Sequence, residues 1–139
     1  MLFRSSEAIA TSILEMIRLK TPTLSIIIGE GGSGGALSLC AADEVWITSN
    51  STYSVISPEG CASILWKDSG KVAEASESLK LTADDLVSLG AVEKIFEEND
   101  FPETFLEDMK EQIFRFFQQK KKVPADELIE ERYRRFRKF

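Results

Sequence analysis

The sequence predicts an α/β fold in which parallel strands alternate with covering helices. Three observations carry this. The run Thr23 to Ile28 is short, continuous and rich in β-branched residues, as in strands buried on both faces. It feeds a turn with five glycines among the seven residues Gly29 to Gly35, and then a small-residue helical segment. Strand-like and helix-like stretches alternate from there onward, the order that layers helices on a parallel sheet.

Taken in order, Ser5 or Ser6 is expected to cap a first helix. Its apolar stripe is Ile9, Ile13 and Ile17, with Ala10 and Leu14 beside it and Glu7, Arg18 and Lys20 outside. The helix stops before Thr21-Pro22, because a residue preceding proline avoids the helical region. The strand Thr23–Ile28 and the glycine turn follow, and Ala36 to Ala42 reads as a short buried helix. Glu44–Thr48 is a second strand, residues 49–52 a turn rich in Ser and Asn, and Tyr53–Ile56 a third strand. Ser57-Pro58 opens a helix running to Trp66, with proline at its first position. Ala73–Leu79 is helical. Thr82 caps a helix that Gly90 ends, and Ala91–Phe96 is the last strand. Pro102 opens a helix with the stripe Phe105, Met109, Ile113 and Phe116 or Phe117. Pro124 opens another, with Leu128, Ile129, Tyr133 and Phe136 on one face. Lys120 to Lys122, between them, is expected to be solvated.

Composition excludes several classes. The chain has 139 residues, 43% of them hydrophobic, and a net charge of −6, which describes one domain or part of one. The acidic balance disfavours nonspecific contact with nucleic acid or anionic lipid. No apolar run approaches the ~18 residues of a membrane span, and the N-terminus lacks the order of a signal peptide. Cys40 and Cys61 sit among small or apolar residues without metal-site spacing, so they read as buried reduced thiols of a cytoplasmic protein. Histidine is absent, which removes Ser-His and Cys-His nucleophile pairs and His-based metal sites. Chemistry here must use backbone dipoles, carboxylates, lysines or a partner chain.

The glycine stretch admits three binding modes. Gly29 and Gly34 have the spacing of a phosphate loop, G-x-x-x-x-G-K-S/T, but Gly35 stands where the lysine is needed. Gly29 to Gly34 matches the dinucleotide pattern G-x-G-x-x-G between a strand and a helix. The intervening helix is too short for it, however, and the next strand ends in Thr48, Ser49 and Asn50 rather than in a ribose-binding acid. The third mode is an oxyanion hole, in which glycines let a carbonyl reach main-chain N–H groups.

At this point the residues carry a resemblance. Gly29-Glu30-Gly31-Gly32-Ser33-Gly34-Gly35-Ala36, followed by the block Ser51 to Lys67, resembles the alpha subunit of the acetyl-CoA carboxylase carboxyltransferase. Glu7-Ala8-Ile9-Ala10, Leu79 to Ala83 and Glu131 to Phe136 resemble it too. The resemblance covers essentially the whole chain, matched to the C-terminal half of the family's subunit. It implies a partial crotonase-like (ClpP/crotonase) spiral over residues 1–98, with residues 99–139 a C-terminal extension of two amphipathic helices packed on the domain or on a partner.

The implied activity is carboxyl transfer from carboxybiotin on a carrier protein to acetyl-CoA, giving malonyl-CoA for fatty acid synthesis. The implied partners are a carboxyltransferase beta subunit in an α2β2 assembly, biotin carboxyl carrier protein and biotin carboxylase. Zinc is expected only on the beta subunit, and neither nucleic acid nor membrane is expected as a partner. On this resemblance the oxyanion donors are the main chain of Gly34, Gly35 and Ala36, with Gly31 and Gly32 next. Tyr53, Ser57, Pro58 and Glu59 line the biotin side of the cleft, or else form a turn and subunit contact. Glu30 orients the loop or is solvated. Trp46 and Trp66 read as core or interface, and Arg132 to Lys138 as a polar helix face or an interface with an acidic partner. Three competitors stand beside this: a hydratase of the same fold, a Ser-Lys peptidase using Ser33 with Lys67 or Lys71, and a fragment that assembles without turnover.

Overall fold

The computed structural model describes residues 2–98 and 104–138. The chain runs α1 (Leu2–Arg18), β1 (Leu24–Ile27), β2 (Glu30–Gly32), α2 (Ser33–Leu39), β3 (Glu44–Thr48), β4 (Thr52–Ser54), α3 (Pro58–Trp66), α4 (Val72–Leu79), α5 (Ala83–Ser88), β5 (Lys94–Phe96), α6 (Thr104–Lys120) and α7 (Ala125–Phe136). Among the described residues the strands form two parallel sheets, one ordered β1-β3-β5 and the other β2-β4. In the first, Ile26 stands beside Trp46 and Ile27 beside Ile47. In the second, Glu30, Gly31 and Gly32 stand beside Thr52, Tyr53 and Ser54. The chain therefore leaves the first sheet for the second twice, through Ile28-Gly29 and through residues 49–51.

The central strand β3 explains the layering. Val45 and Ile47 face one side, where they bury against Ile27, Leu86 and Val92. Trp46 faces the other and is 2% exposed. Its ring meets Phe96 at 5.5 Å and Phe116 edge-on at 5.8 Å between centroids. Phe105, Met109, Ile113 and Phe117 pack around this aromatic group, so the expected stripe of α6 is the face that covers the sheet. Phe114, on the opposite side of α6, is exposed. Pro102 lies outside the described residues.

Several expectations change. The first helix already runs at Leu2, so Ser5 and Ser6 lie within it rather than capping it. The glycine turn is not simply a turn. Glu30–Gly32 pairs as a strand because β4 offers its edge, and α2 starts at Ser33 rather than Ala36. The third strand ends at Ser54, short of Ile56. Lys120 is half-buried and pairs with Glu131 at 3.0 Å.

The largest correction concerns α7. Tyr133 is exposed, while Arg132 and Arg135 are buried with Leu128. Arg132 lies over the C-terminal end of α1. Its Nε and Nη2 donate to the two Asp43 carboxylate oxygens, each at 2.9 Å. Its Nη1 and Nη2 also donate to the carbonyls of Met16, Ile17, Leu19 and Thr21. The Met16 and Ile17 carbonyls end α1 and need donors, and a cation there also meets the negative end of the helix dipole. Arg135 binds Glu93 through Nε at 2.7 Å and the Ala91 carbonyl through Nη2 at 2.7 Å. The acidic partner of this basic run is the chain itself.

Candidate functional site

The site grows from the hinge at Gly29, whose φ of +78° suits glycine alone without strain. From there the chain passes directly through β2 into α2. The N-cap of α2, Gly32, is extended and carries no side-chain cap. In a helix opening at Ser33, the first main-chain N–H to find an intrahelical acceptor is that of the fourth residue, Ala36. In the parallel register the Ser33 N–H faces the Ser54 carbonyl, so the donors left without an intrahelical or ladder acceptor are those of Gly34 and Gly35.

The glycines divide into two kinds. A Cβ on Gly31 would meet Ile27 Cγ2 at 3.2 Å, and one on Gly34 would meet Ile9 Cδ1 at 3.2 Å. These two are small because neighbours pack onto them. A Cβ on Gly32 or Gly35 would meet nothing within 4 Å. Neither has a positive φ, so neither packing nor backbone conformation explains the missing side chain. Ser33, between them, has a φ of +58°, a conformation glycine adopts more readily.

Gly31, Gly32, Ser33 and Glu30 line an open cleft of about 650 Å³ together with Ser57, Pro58 and Glu59. Gly31 and Gly32 thus share one cavity with Ser57, Pro58 and Glu59, while Gly34, Gly35 and Ala36 do not line it. Ser57 caps α3 by accepting from the Gly60 N–H at 3.2 Å, with Pro58 at the first helical position. Glu30 and Glu59 are exposed at the cleft. The cleft is also lined by Thr52, Ser54, Ser76 and Leu81, and among the described residues no lysine lines it with Ser33 as a Ser-Lys peptidase requires.

Tyr53 points elsewhere. It packs against the core and lines a second, apolar cavity of about 360 Å³ with Cys40, Leu86 and Phe136. Burial pushes the Tyr53 phenol well above its usual range, and the adjoining Cys40 thiol, hydrogen-bonded to it, adds to the shift. Burial likewise raises the Cys40 thiol. Trp46 is core, and Trp66 is 38% exposed on α3 beside exposed Ile64 and Leu65. Among the described residues no three Cys, Asp or Glu side chains converge as a metal-ligand set. No described helix is long and apolar enough to cross a membrane.

Sequence reasoning passed over Ser51 and Thr48. The Ser51 Oγ accepts the Gly29 N–H at 2.6 Å and lies 2.6 Å from Thr48 Oγ1. The only local signal is two hydroxyl residues three apart across a turn.

A family model described as acetyl co-enzyme A carboxylase carboxyltransferase-like matches residues 4–139. The chain belongs to this family. Its relatives include the acetyl-coenzyme A carboxylase carboxyl transferase subunit alpha of Ruminiclostridium cellulolyticum, 52% identical over 95% of this chain and 51% of the relative. The subunit of the same name from Streptococcus sanguinis is 48% identical over 96% of this chain and 52% of the relative. The chain thus spans about half the length of the curated relatives it matches. Among solved structures, a Pseudomonas malonate decarboxylase hetero-tetramer in complex with coenzyme A aligns with TM-score 0.73 at 14% identity, over 91% of this chain and 52% of that one. Transcarboxylase 12S aligns with TM-score 0.68 at 15% identity, over 82% and 22%. An enoyl-CoA hydratase/isomerase from Marinobacter aquaeolei aligns with TM-score 0.59 at 16% identity, over 94% and 50%. The family's chain therefore has the crotonase-like fold, as the resemblance implied.

Proposed function

We propose that this chain forms part of an acetyl-CoA carboxylase carboxyltransferase, which moves a carboxyl group from biotin on a carrier protein to acetyl-CoA and yields malonyl-CoA for fatty acid synthesis. The observation that carries the proposal is the cleft that Gly31 and Gly32 share with Ser57, Pro58 and Glu59 at the start of α2, where a Cβ on Gly32 would meet no atom within 4 Å. The names of the relatives support the same reaction.

Carboxybiotin, when bound, supplies the transferable carboxyl group. The chain's own part is electrostatic. The N–H groups of Gly34 and Gly35 are held by the backbone, so they stabilise negative charge developing at a ureido or thioester oxygen without reorganising. No titrating side chain is required for that, which suits a chain without histidine. Gly31 and Gly32 shape the approach, and Ser57, Pro58 and Glu59 form the facing wall.

In this reading the partners are a beta subunit in an α2β2 assembly, carrying the zinc and most of the CoA pocket, a biotin carboxyl carrier protein and biotin carboxylase, all in the cytoplasm. Residues 1–98 carry the site, and residues 99–139 serve as a helical extension. The test mixes the chain with beta subunit, carboxylated carrier protein and acetyl-CoA and measures malonyl-CoA. Turnover that requires this chain supports the proposal. An intact assembly without turnover sinks it.

A further inference from the structure

We propose that Ser51 is a positioning residue: its buried hydroxyl, clamped by Thr48, holds the Gly29 hinge and thereby sets where the N–H groups of Gly34 and Gly35 stand. The inference rests on the carboxyltransferase reading for its activity readout, and on geometry for the rest.

Gly29 is the pivot at which the chain turns from the first sheet into the second. Both of its main-chain polar groups are held by the neighbouring hinge between β3 and β4. Its N–H donates to Ser51 Oγ at 2.6 Å, and its carbonyl accepts from the Thr52 N–H at 2.9 Å. Ser51 is itself fixed twice, since its N–H donates to the Thr48 carbonyl at 2.9 Å and its Oγ lies 2.6 Å from Thr48 Oγ1. Thr48 and Ser51 are 1% and 2% exposed, so water does not compete for these bonds. The second hinge is tied onward to β5, because the Ser49 N–H donates to the Phe96 carbonyl at 2.8 Å.

The bond is placed where it controls orientation more than folding. Strands β1 and β3 pair through residues 24–27 without it, and β2 and β4 pair through residues 30–32. What it adds is a fixed rotation at the one glycine between them. The segment after Gly29 has no slack, since β2 runs straight into α2. A rotation at Gly29 therefore carries Glu30 to Gly35 as a unit. A misplacement of about 1 Å at a catalytic group lowers rates on the order of a hundredfold.

The experiment compares Ser51→Ala, Ser51→Thr and Thr48→Val in the chain assembled with its partners. Ser51→Ala is expected to lower kcat roughly ten- to a hundredfold with KM for acetyl-CoA unchanged, and Ser51→Thr, which keeps the hydroxyl, to restore kcat. Amide hydrogen exchange is expected to rise at Gly29 and across β2 (Glu30–Gly32) while the β1-β3-β5 sheet stays protected. Thr48→Val carries the same test if Ser51→Ala does not fold. Unchanged kcat in the hydroxyl-deleted variant, a failure of Ser51→Thr to restore it, or unchanged exchange at Gly29 to Gly32 overturns the inference. A wild-type assembly without turnover instead sinks the carboxyltransferase reading, and hydrogen exchange alone then decides on the clamp.

Discussion

Replacing Gly35 with alanine separates a ligand-driven glycine from a structural one. The added methyl meets no atom within 4 Å. Gly35 sits in the first turn of α2 without a positive φ, so alanine fits the backbone and reduces the entropy of the unfolded chain. The expected change is a stabilisation of about 0.4–1 kcal/mol, or a rise in Tm of about 2–4 °C for a chain of this size. Activity moves the other way. A methyl over the donor row holds the reacting oxygen away, and losing one such donor lowers kcat about 10²–10³-fold. Gly34→Ala is the control, because its Cβ would fall 3.2 and 3.3 Å from Ile9 side-chain atoms. Overpacking of that kind costs about 1–3 kcal/mol, so this neighbour loses stability first. The assay pairs urea unfolding with malonyl-CoA formation by the reconstituted complex. A Gly35→Ala protein with wild-type kcat refutes the reasoning, and so does one that is clearly less stable than wild type.

Three further predictions follow from features of the fold. Arg132→Ala leaves Asp43 buried without its cation and the carbonyls of Met16, Ile17, Leu19 and Thr21 without its N–H groups, which should cost about 3–5 kcal/mol in urea unfolding; Arg132→Lys should rescue it only in part, lacking the guanidinium fork. Ser33→Gly should relieve the left-handed backbone and stabilise the chain by about 1 kcal/mol, while Ser33→Ala should retain most carboxyl transfer, because the donors are main-chain groups; complete loss with Ser33→Ala would point to a hydroxyl nucleophile. The raised Cys40 and Tyr53 groups keep their protons in the folded state, while the unfolded chain releases them from ordinary values of 9.0 and 10.0. The unfolded state then binds fewer protons, so stability from these groups is flat below about pH 9 and falls above it. Urea midpoints measured from pH 7 to 10.5 should show this, and Cys40→Ala should weaken the earlier part of the slope.

Much of the architecture is legible locally. Glu44–Thr48 forms a strand as its pattern requires, Ser57 and Thr82 cap the helices they precede, and Gly90 ends α5 with a φ of +71°. What escapes is set by distant partners. Glycines disfavour strands, so β2 is invisible until β4 arrives to pair with it. Arg132 and Arg135 read as a polar helix face or an interface with an acidic partner because their carboxylates lie 89 and 42 residues away in sequence. Their one local trace is the spacing Leu128, Arg132, Arg135 on one helix face. At the site, sequence reveals a glycine-rich segment but cannot tell Gly32 and Gly35, which face open space, from Gly31 and Gly34, which face Ile27 and Ile9.

The guanidinium of Arg132 also has a consequence in time. It supplies hydrogen bonds to the end of α1 from 116 residues further along the chain. Translation adds about 5–20 residues per second, so on the order of ten seconds separate the emergence of Met16 from the synthesis of the residue that secures it. Throughout that interval the carbonyls of Met16, Ile17 and Leu19 lack the donor they will finally keep. The nascent chain must hold α1 against solvent, or against a chaperone, until its last helix has been made.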